Sequence, residues 1–260
     1  DMVVSIDCQH ISYNHFLQGY PEEVPLVLDL ASPPVLTKLA PKLAFFTSGH
    51  PFSQYVNKHW RRFPVIDTSG GNVSHAAVSL ADRLGAAKIL LFGADFCYPE
   101  GKSYARGSYI YPYFRCRESR LSGLESLFMA FLFRGPAGSM ERDGGRYVTR
   151  SMLRYRERLE ESLGRLGAVL VPEPGRGLPI RAPQPEGGRR KSSPIYAPGP
   201  VSVPWRSFLA SYGEAVAALP EPEQPLVHFF SSITREQREL WMTLLPAAAA
   251  ELDRLLADPC

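Results

Sequence analysis

The sequence predicts an α/β fold: a Rossmann-like, doubly wound, mostly parallel sheet with a helical C-terminal extension. Three observations carry this. Short apolar runs each stop at a polar residue, helix-compatible stretches separate them, and a Gly-Gly turn joins one strand to one helix. Strands buried on both faces read as continuous apolar runs, and their alternation with helices implies parallel pairing.

Taken in order, Met2 to Ile6 ends at Asp7, Pro25 to Leu28 at Asp29, and Leu43 to Phe46 at Thr47-Ser48-Gly49. A weaker strand, Pro64 to Ile66, ends at Asp67, and Lys88 to Phe92 ends at Gly93-Ala94-Asp95. The stretches His10 to Gln18, Pro33 to Leu39, Phe52 to Trp60 and Val73 to Leu84 suit helices. Tyr98, Tyr104, Tyr109, Tyr111, Tyr113 and Phe114 crowd a turn-rich span, where rings either stack on a ligand or pack on their own domain. Glu118 to Phe133 and Met152 to Leu166 read as helices and Ala168 to Val171 as a strand, closing a core over 1–171. Residues 172–204 form a Pro- and Gly-rich connection, and 205–260 a helical segment with helices at Trp205 to Leu219 and Arg235 to Leu256. Thr234 with Gln237 reads as a capping box for the last helix, and Pro246 as its kink. That tail covers the sheet, forms a small second domain or mediates oligomers; the pattern leaves all three open.

Bulk composition narrows the classes. With 45% hydrophobic and 21% charged residues, the 260-residue chain is long enough for one large domain or a domain with an appendage. Its 29 basic and 26 acidic residues leave a net charge of +3, too balanced for nucleic-acid binding without a clustered basic face. The densest run, Arg189-Arg190-Lys191, sits among Pro, Gly and Ser and reads as solvated linker. Cys8, Cys97, Cys116 and Cys260 show no CxxC or metal-ligand spacing, so no metal site is expected and the thiols read as free. No apolar run is long enough to span a bilayer, which together with free thiols makes the cytoplasm the expected compartment. The opening Asp1-Met2-Val3-Val4 reads as a chain entered mid-fold.

Polar residues at the carboxyl ends of parallel strands face the crevice where open α/β sheets bind ligands. Asp7, Asp29, Ser48, Asp67 and Asp95 are therefore candidates together, although Asp7 and Asp29 taken singly suit turns and helix caps. The best-marked site is Ser69-Gly70-Gly71-Asn72 before Val73. Glycines let backbone N–H groups approach an anion, and the helix dipole favours negative charge there. His75 and His50 are expected to pack locally rather than to serve as bases.

Ser69-Gly70-Gly71-Asn72-Val73, the small-residue helix, Leu84-Gly85, the apolar strand, Gly93-Ala94-Asp95-Phe96 and Tyr98-Pro99-Glu100-Gly101-Lys102-Ser103-Tyr104-Ala105 together resemble one family. It includes archaeal MptE-like 6-hydroxymethylpterin diphosphokinases and bacterial motility-associated factor (Maf) glycosyltransferases. Asp143-Gly144-Gly145-Arg146-Tyr147-Val148-Thr149 followed by a helix extends the resemblance to about residue 180. Members usually carry a Gly-x-Gly-Pro-Ser-Leu-like loop after an earlier strand. None occurs here, so the resemblance implies that this strand and phosphate loop lie upstream.

The resemblance implies a transferase. Its Maf-like form moves a nonulosonic, sialic-acid-like sugar from a CMP donor to a protein Ser or Thr, by resemblance on flagellin. Ser48, Ser69, Gly70, Gly71 and Asn72 would then bind the nucleotide anion, and Asp95 would be the catalytic or orienting carboxylate. The alternative is pyrophosphoryl transfer from ATP with Mg²⁺ to a hydroxymethylpterin, with Asp7, Asp29 and Asp95 available to the metal. A third reading is a non-catalytic nucleotide-binding or assembly module.

Overall fold

The computed structural model describes residues 1–135, 139–182 and 203–218. The expected helix at 235–256 with its cap, the Arg189-Arg190-Lys191 run, most of the 172–204 connection and Cys260 lie outside them. In chain order the elements are β1 (Val3–Ser5), β2 (Leu26–Asp29), β3 (Leu43–Phe46), α1 (Pro51–His59), α2 (Val73–Arg83), β4 (Lys88–Leu91), β5 (Tyr98–Pro99) and α3 (Ile110–Arg115). They continue with α4 (Leu124–Leu132), β6 (Met140–Asp143), β7 (Arg146–Thr149), α5 (Arg150–Leu163), β8 (Val169–Pro172) and α6 (Trp205–Ala217).

The chain divides into two compact units. The first joins Asp1–Phe46 to Val65–Ile195, and the second joins Thr47–Pro64 to Tyr196–Cys260.

In the first unit, β1, β2 and β3 pair in parallel in that order, with Val3 opposite Leu26 and Leu26 opposite Leu43. Every residue of β2 is buried, as a central parallel strand requires. Leu26, Leu28, Leu36 and Ala40 form one core cluster with Val3, Tyr13 and Phe16, while Val27, Phe46, Ile66 and Leu80 form another with Val4 and Ile6. Each fully buried Leu contributes about 1.5–3 kcal/mol. The connections are 3₁₀ segments, His10–Phe16 and Pro34–Lys38, rather than the α-helices expected; Pro33 and Pro34 withhold two backbone donors from the second.

A separate parallel pair joins β4 to β8, Lys88 opposite Val169. Helix α2 packs against both β1 and β4, which belong to different sheets among the described residues. The architecture is thus mixed α/β with small parallel sheets. Among the described residues the ladders form three separate sheets rather than one continuous doubly wound sheet.

The third sheet is antiparallel, in the order β5-β7-β6, and was not expected. Its hairpin turns at Gly144-Gly145, where φ values of +53° and +87° suit glycine. The expected helix from Glu118 starts only at Leu124, because Ser119 and Ser122 close a tight turn and Gly123 takes the N-cap. The Glu118 carboxylate instead accepts from the Leu124 amide at 3.1 Å. Thr149 caps α5 by accepting from the Met152 amide at 3.3 Å, which places that helix two residues earlier than expected. Pro64 to Ile66 is reduced to a single β-bridge at Val65, and Ile66 is fully buried in the core.

In the second unit, α1 and α6 meet through rings. Tyr55 lies 4.9 Å from Tyr212 and 5.6 Å from Phe208, and Trp60 lies 4.8 Å from Trp205. Trp60 Nε1 donates to the Val203 carbonyl at 2.9 Å. Among the described residues, no helix is long and apolar enough to cross a membrane. Cys8 and Cys116 are exposed free thiols and Cys97 is a buried one.

Candidate functional site

The Gly-Gly turn is built around His75. Asn72 is extended at the N-cap of α2; its Oδ1 accepts from the His75 amide at 3.0 Å, and its Nδ2 donates to the Gly70 carbonyl at 3.2 Å. The buried His75 ring places Nδ1 3.2 Å from the Asp67 carbonyl and Nε2 4.0 Å from Asp67 Oδ2. Gly70 is required by that ring, since a Cβ there would overlap it and lie 2.6 Å from His75 Cβ and Cδ2. Gly71 has φ +75°, and a Cβ there would lie 2.9 Å from Tyr155 Cε1. Within the turn the Ser69 amide donates to Asp67 Oδ1 at 2.9 Å, the Gly71 amide to the Thr68 carbonyl at 3.0 Å, and Arg158 to the Ser69 carbonyl at 2.8 Å. Local contacts thus occupy the Ser69 and Gly71 donors expected to face an anion.

Asp67 has its carboxyl held below the ordinary range. Burial pushes it up, but the Ser69 hydrogen bonds and the charges of His75 and Arg165, the latter at 3.7 Å, outweigh that. A carboxyl depressed by folding stabilises the fold above its unfolded pKa, about 4, and that contribution is lost as pH falls through its folded value. Asp67→Asn should therefore melt at a temperature that depends less on pH below about 4 than the wild type does. Parallel melting curves for the two proteins across an acid titration check this.

Of the four turn residues, only Asn72 reaches a cleft of about 1230 Å³, together with Ser74 from the first turn of α2. The same cleft takes the continuous run Gly93 to Gly107, which contains the motif Tyr98 to Ala105 from end to end. Asp95 and Asn72 therefore line one space. Tyr111, Arg115, Phe128, Tyr155 and Arg176 complete its charged and aromatic wall. Several rings also pack on one another, with Phe114 4.9 Å and Tyr111 4.8 Å from Phe128, as the packing reading of the aromatic span expects. Burial pushes the Tyr98 phenol up, keeping it a protonated donor.

Asp95 also lines a second cleft of about 540 Å³, formed by residues following β4 and β8 with Arg146 and Glu173. Its backbone is gripped there. The Leu178 amide donates to the Asp95 carbonyl at 2.8 Å, and a Cβ on Gly177 would overlap Asp95 Cα and lie 2.7 Å from its carbonyl oxygen. The next residue, Phe96, takes a left-handed φ of +48°, as does Glu100 at +53°. Such backbone costs about 1–3 kcal/mol for each non-glycine residue and is retained where surrounding structure enforces it.

The other candidates are not in this cleft. Asp7 is exposed and accepts from the Gln9 amide at 2.8 Å, and Asp29 is buried at the end of β2, accepting from the Ala31 amide at 2.9 Å. Both are turn residues. Ser48 belongs to the second unit, where it is buried and its carbonyl accepts from Gln54 Nε2. Sequence reasoning did not single out Tyr155 or Arg176 as site residues, because each comes from a distant segment. Glu100 and Lys102 lay within the quoted motif, and that motif was the available signal.

Residues 1–101 match the family model described as 6-hydroxymethylpterin diphosphokinase MptE-like. The segment is similar to that family. It runs from β1 through the Gly-Gly turn and Asp95 to Gly101, so the match ends inside the loop that lines the cleft. The chain is also 35% identical over 135 residues to an uncharacterized protein of Treponema pallidum (strain Nichols). That alignment covers 50% of this chain and 48% of the relative, so the chain spans about half the relative's length. No solved structure matches the chain.

Proposed function

We propose that the chain is a nucleotide-dependent transferase whose reaction takes place in the 1230 Å³ cleft, and that it moves a nonulosonic sugar from a CMP donor to a protein hydroxyl. The observation that carries this reading is the joint lining of that cleft by Asp95 and the N-terminus of α2. Its volume exceeds the roughly 300–1,000 Å³ usual for a site holding one ligand, which suits two substrates.

In glycosyl transfer the acceptor oxygen bonds to the anomeric carbon as the bond from that carbon to the CMP phosphate oxygen breaks. CMP leaves with the electron pair, and a base takes the hydroxyl proton. The Val73 and Ser74 amides and the Ser74 hydroxyl at the start of α2 meet the leaving phosphate, aided by the helix dipole. Asp95 accepts the proton or orients the acceptor. The aromatic wall takes the nucleobase. A flagellin-type acceptor rests on the Maf resemblance.

The family description favours a second reading, pyrophosphoryl transfer from ATP to a hydroxymethylpterin. The donor set does not form a protein cage for Mg²⁺, since no group of three His, Cys, Asp or Glu side chains converges among the described residues. In this reading the phosphates would carry the ion in, as is usual for Mg²⁺.

Thermal shift of the full chain with CMP, a CMP-sugar, ATP with Mg²⁺, and a pterin separates these readings, because a ligand that binds only the folded state raises stability. Stabilisation by CMP and CMP-sugar is the expected result. A response only to ATP with Mg²⁺ or to pterin replaces it with the second reading, and no response to any of them leaves a binding or assembly module.

A further inference from the structure

Glu100 is an unusual choice for its position. Its φ of +53°, followed by +74° at Gly101, is a shape that glycine adopts freely and glutamate does not. Its side chain makes two exposed ion pairs, Oε1 to Arg176 Nη1 at 3.0 Å and Oε2 to Lys102 Nζ at 3.9 Å. Exposed pairs of this kind add little stability. Neither the backbone nor the stability of the fold therefore explains a glutamate here.

What the carboxylate does achieve is geometric. One oxygen goes to each cation, and both cations line the cleft. The antiparallel sheet holds the backbone on each side, the Glu100 amide donating to the Gly145 carbonyl at 2.9 Å and Arg146 Nε to the Arg176 carbonyl at 2.8 Å. Arg106 and Arg115 line the same cleft, giving four cations against the carboxylates Asp95, Glu100 and Glu125. Glu100 engages one guanidinium nitrogen of Arg176, leaving further donors for an incoming anion.

We propose that Lys102 and Arg176 form a phosphate-binding subsite of the cleft, and that Glu100 is the positioning residue that holds them together. The subsite takes the phosphate or diphosphate group of the nucleotide together with the first turn of α2, and so deepens the proposed transferase reading on which it rests. Inorganic pyrophosphate carries the same chemistry without the nucleoside.

The test is calorimetric titration of the full chain with pyrophosphate, and separately with CMP and with ATP and Mg²⁺. The variants are Lys102→Met, Arg176→Met, Glu100→Gln and Glu100→Gly. Each Met substitution should weaken pyrophosphate binding about tenfold or more, since each removes a charge-assisted contact. Glu100→Gln should weaken it severalfold. Glu100→Gly should melt at a higher temperature than the wild type while also binding pyrophosphate more weakly, a split that a purely structural role does not produce. A wild type that does not bind pyrophosphate, or Met variants that bind it as well as the wild type, would overturn the subsite. Nucleotide binding retained in those variants would leave the transferase reading standing. Pyrophosphate binding lost in the variants, with no nucleotide bound by the wild type, would uphold the subsite and remove the transferase reading.

Discussion

Gly177→Val should be the most destabilising single substitution near the site, costing about 3 kcal/mol or more. The added Cβ would overlap the Cα of Asp95 and crowd its carbonyl oxygen at 2.7 Å and Oδ1 at 2.8 Å. Backbone cannot swing aside as a flexible side chain can. The segment must therefore move away, breaking the hydrogen bond from the Leu178 amide to Asp95 and pulling Leu178 from its cluster with Cys97 and Val148. For a chain of this size the loss corresponds to a fall in Tm of roughly 6–12 °C. Calorimetric melting of wild type and variant measures it, and a variant melting within about 1 °C of the wild type would show that the Gly177 contact is not close-packed in solution.

Asp95→Asn should have the largest effect on turnover. A positioned acid or base contributes about 10²–10⁴-fold to rate. The substitution keeps the shape of a side chain whose backbone is fixed by Leu178, so folding should be unaffected while kcat falls by about 10²-fold or more with little change in nucleotide affinity. Steady-state kinetics with the donor identified by thermal shift read both quantities. An unchanged kcat would remove Asp95 from the chemistry and leave it a structural link between two clefts.

The sequence made the parallel strands and α2 readable for a physical reason. The buried central strand is apolar from Leu26 to Leu28 and stops at Asp29, and Leu43–Phe46 between polar stops leaves few alternative boundaries. The helix Val73–Arg83 announced itself through the Asn72 cap and a run of small residues. The antiparallel sheet stayed hidden because β5 spans two residues and β6 is mostly charged and exposed, so neither carries an apolar pattern. Gly144-Gly145 was the one local signal of that hairpin.

Of the candidate site, Asn72 was legible because it caps α2 and Asp95 because it lies in the loop that follows β4, and both line the cleft. The same rule placed too much weight on Asp7 and Asp29, whose carboxylates bond to amides two residues on. Gly70 and Gly71 were read as openings for an anion, whereas the space their missing Cβ atoms leave is filled by His75 and Tyr155. Arg176 is brought to Glu100 only by tertiary structure, across 76 residues of sequence, and local spacing carries no trace of that.

The central claim is that a nucleotide binds where the N-terminus of α2 meets the cleft. Asn72→Ala removes the Oδ1 that accepts from the His75 amide, together with the Nδ2 donor, at a cost of about 1 kcal/mol in stability, which leaves the chain folded. Calorimetric titration of the wild type and this variant with CMP tests the claim directly. CMP affinity should fall by about tenfold in a variant that still melts cooperatively, as expected when the cap that fixes the first turn of α2 against a bound phosphate is lost. Equal CMP affinity in the two folded proteins would contradict it.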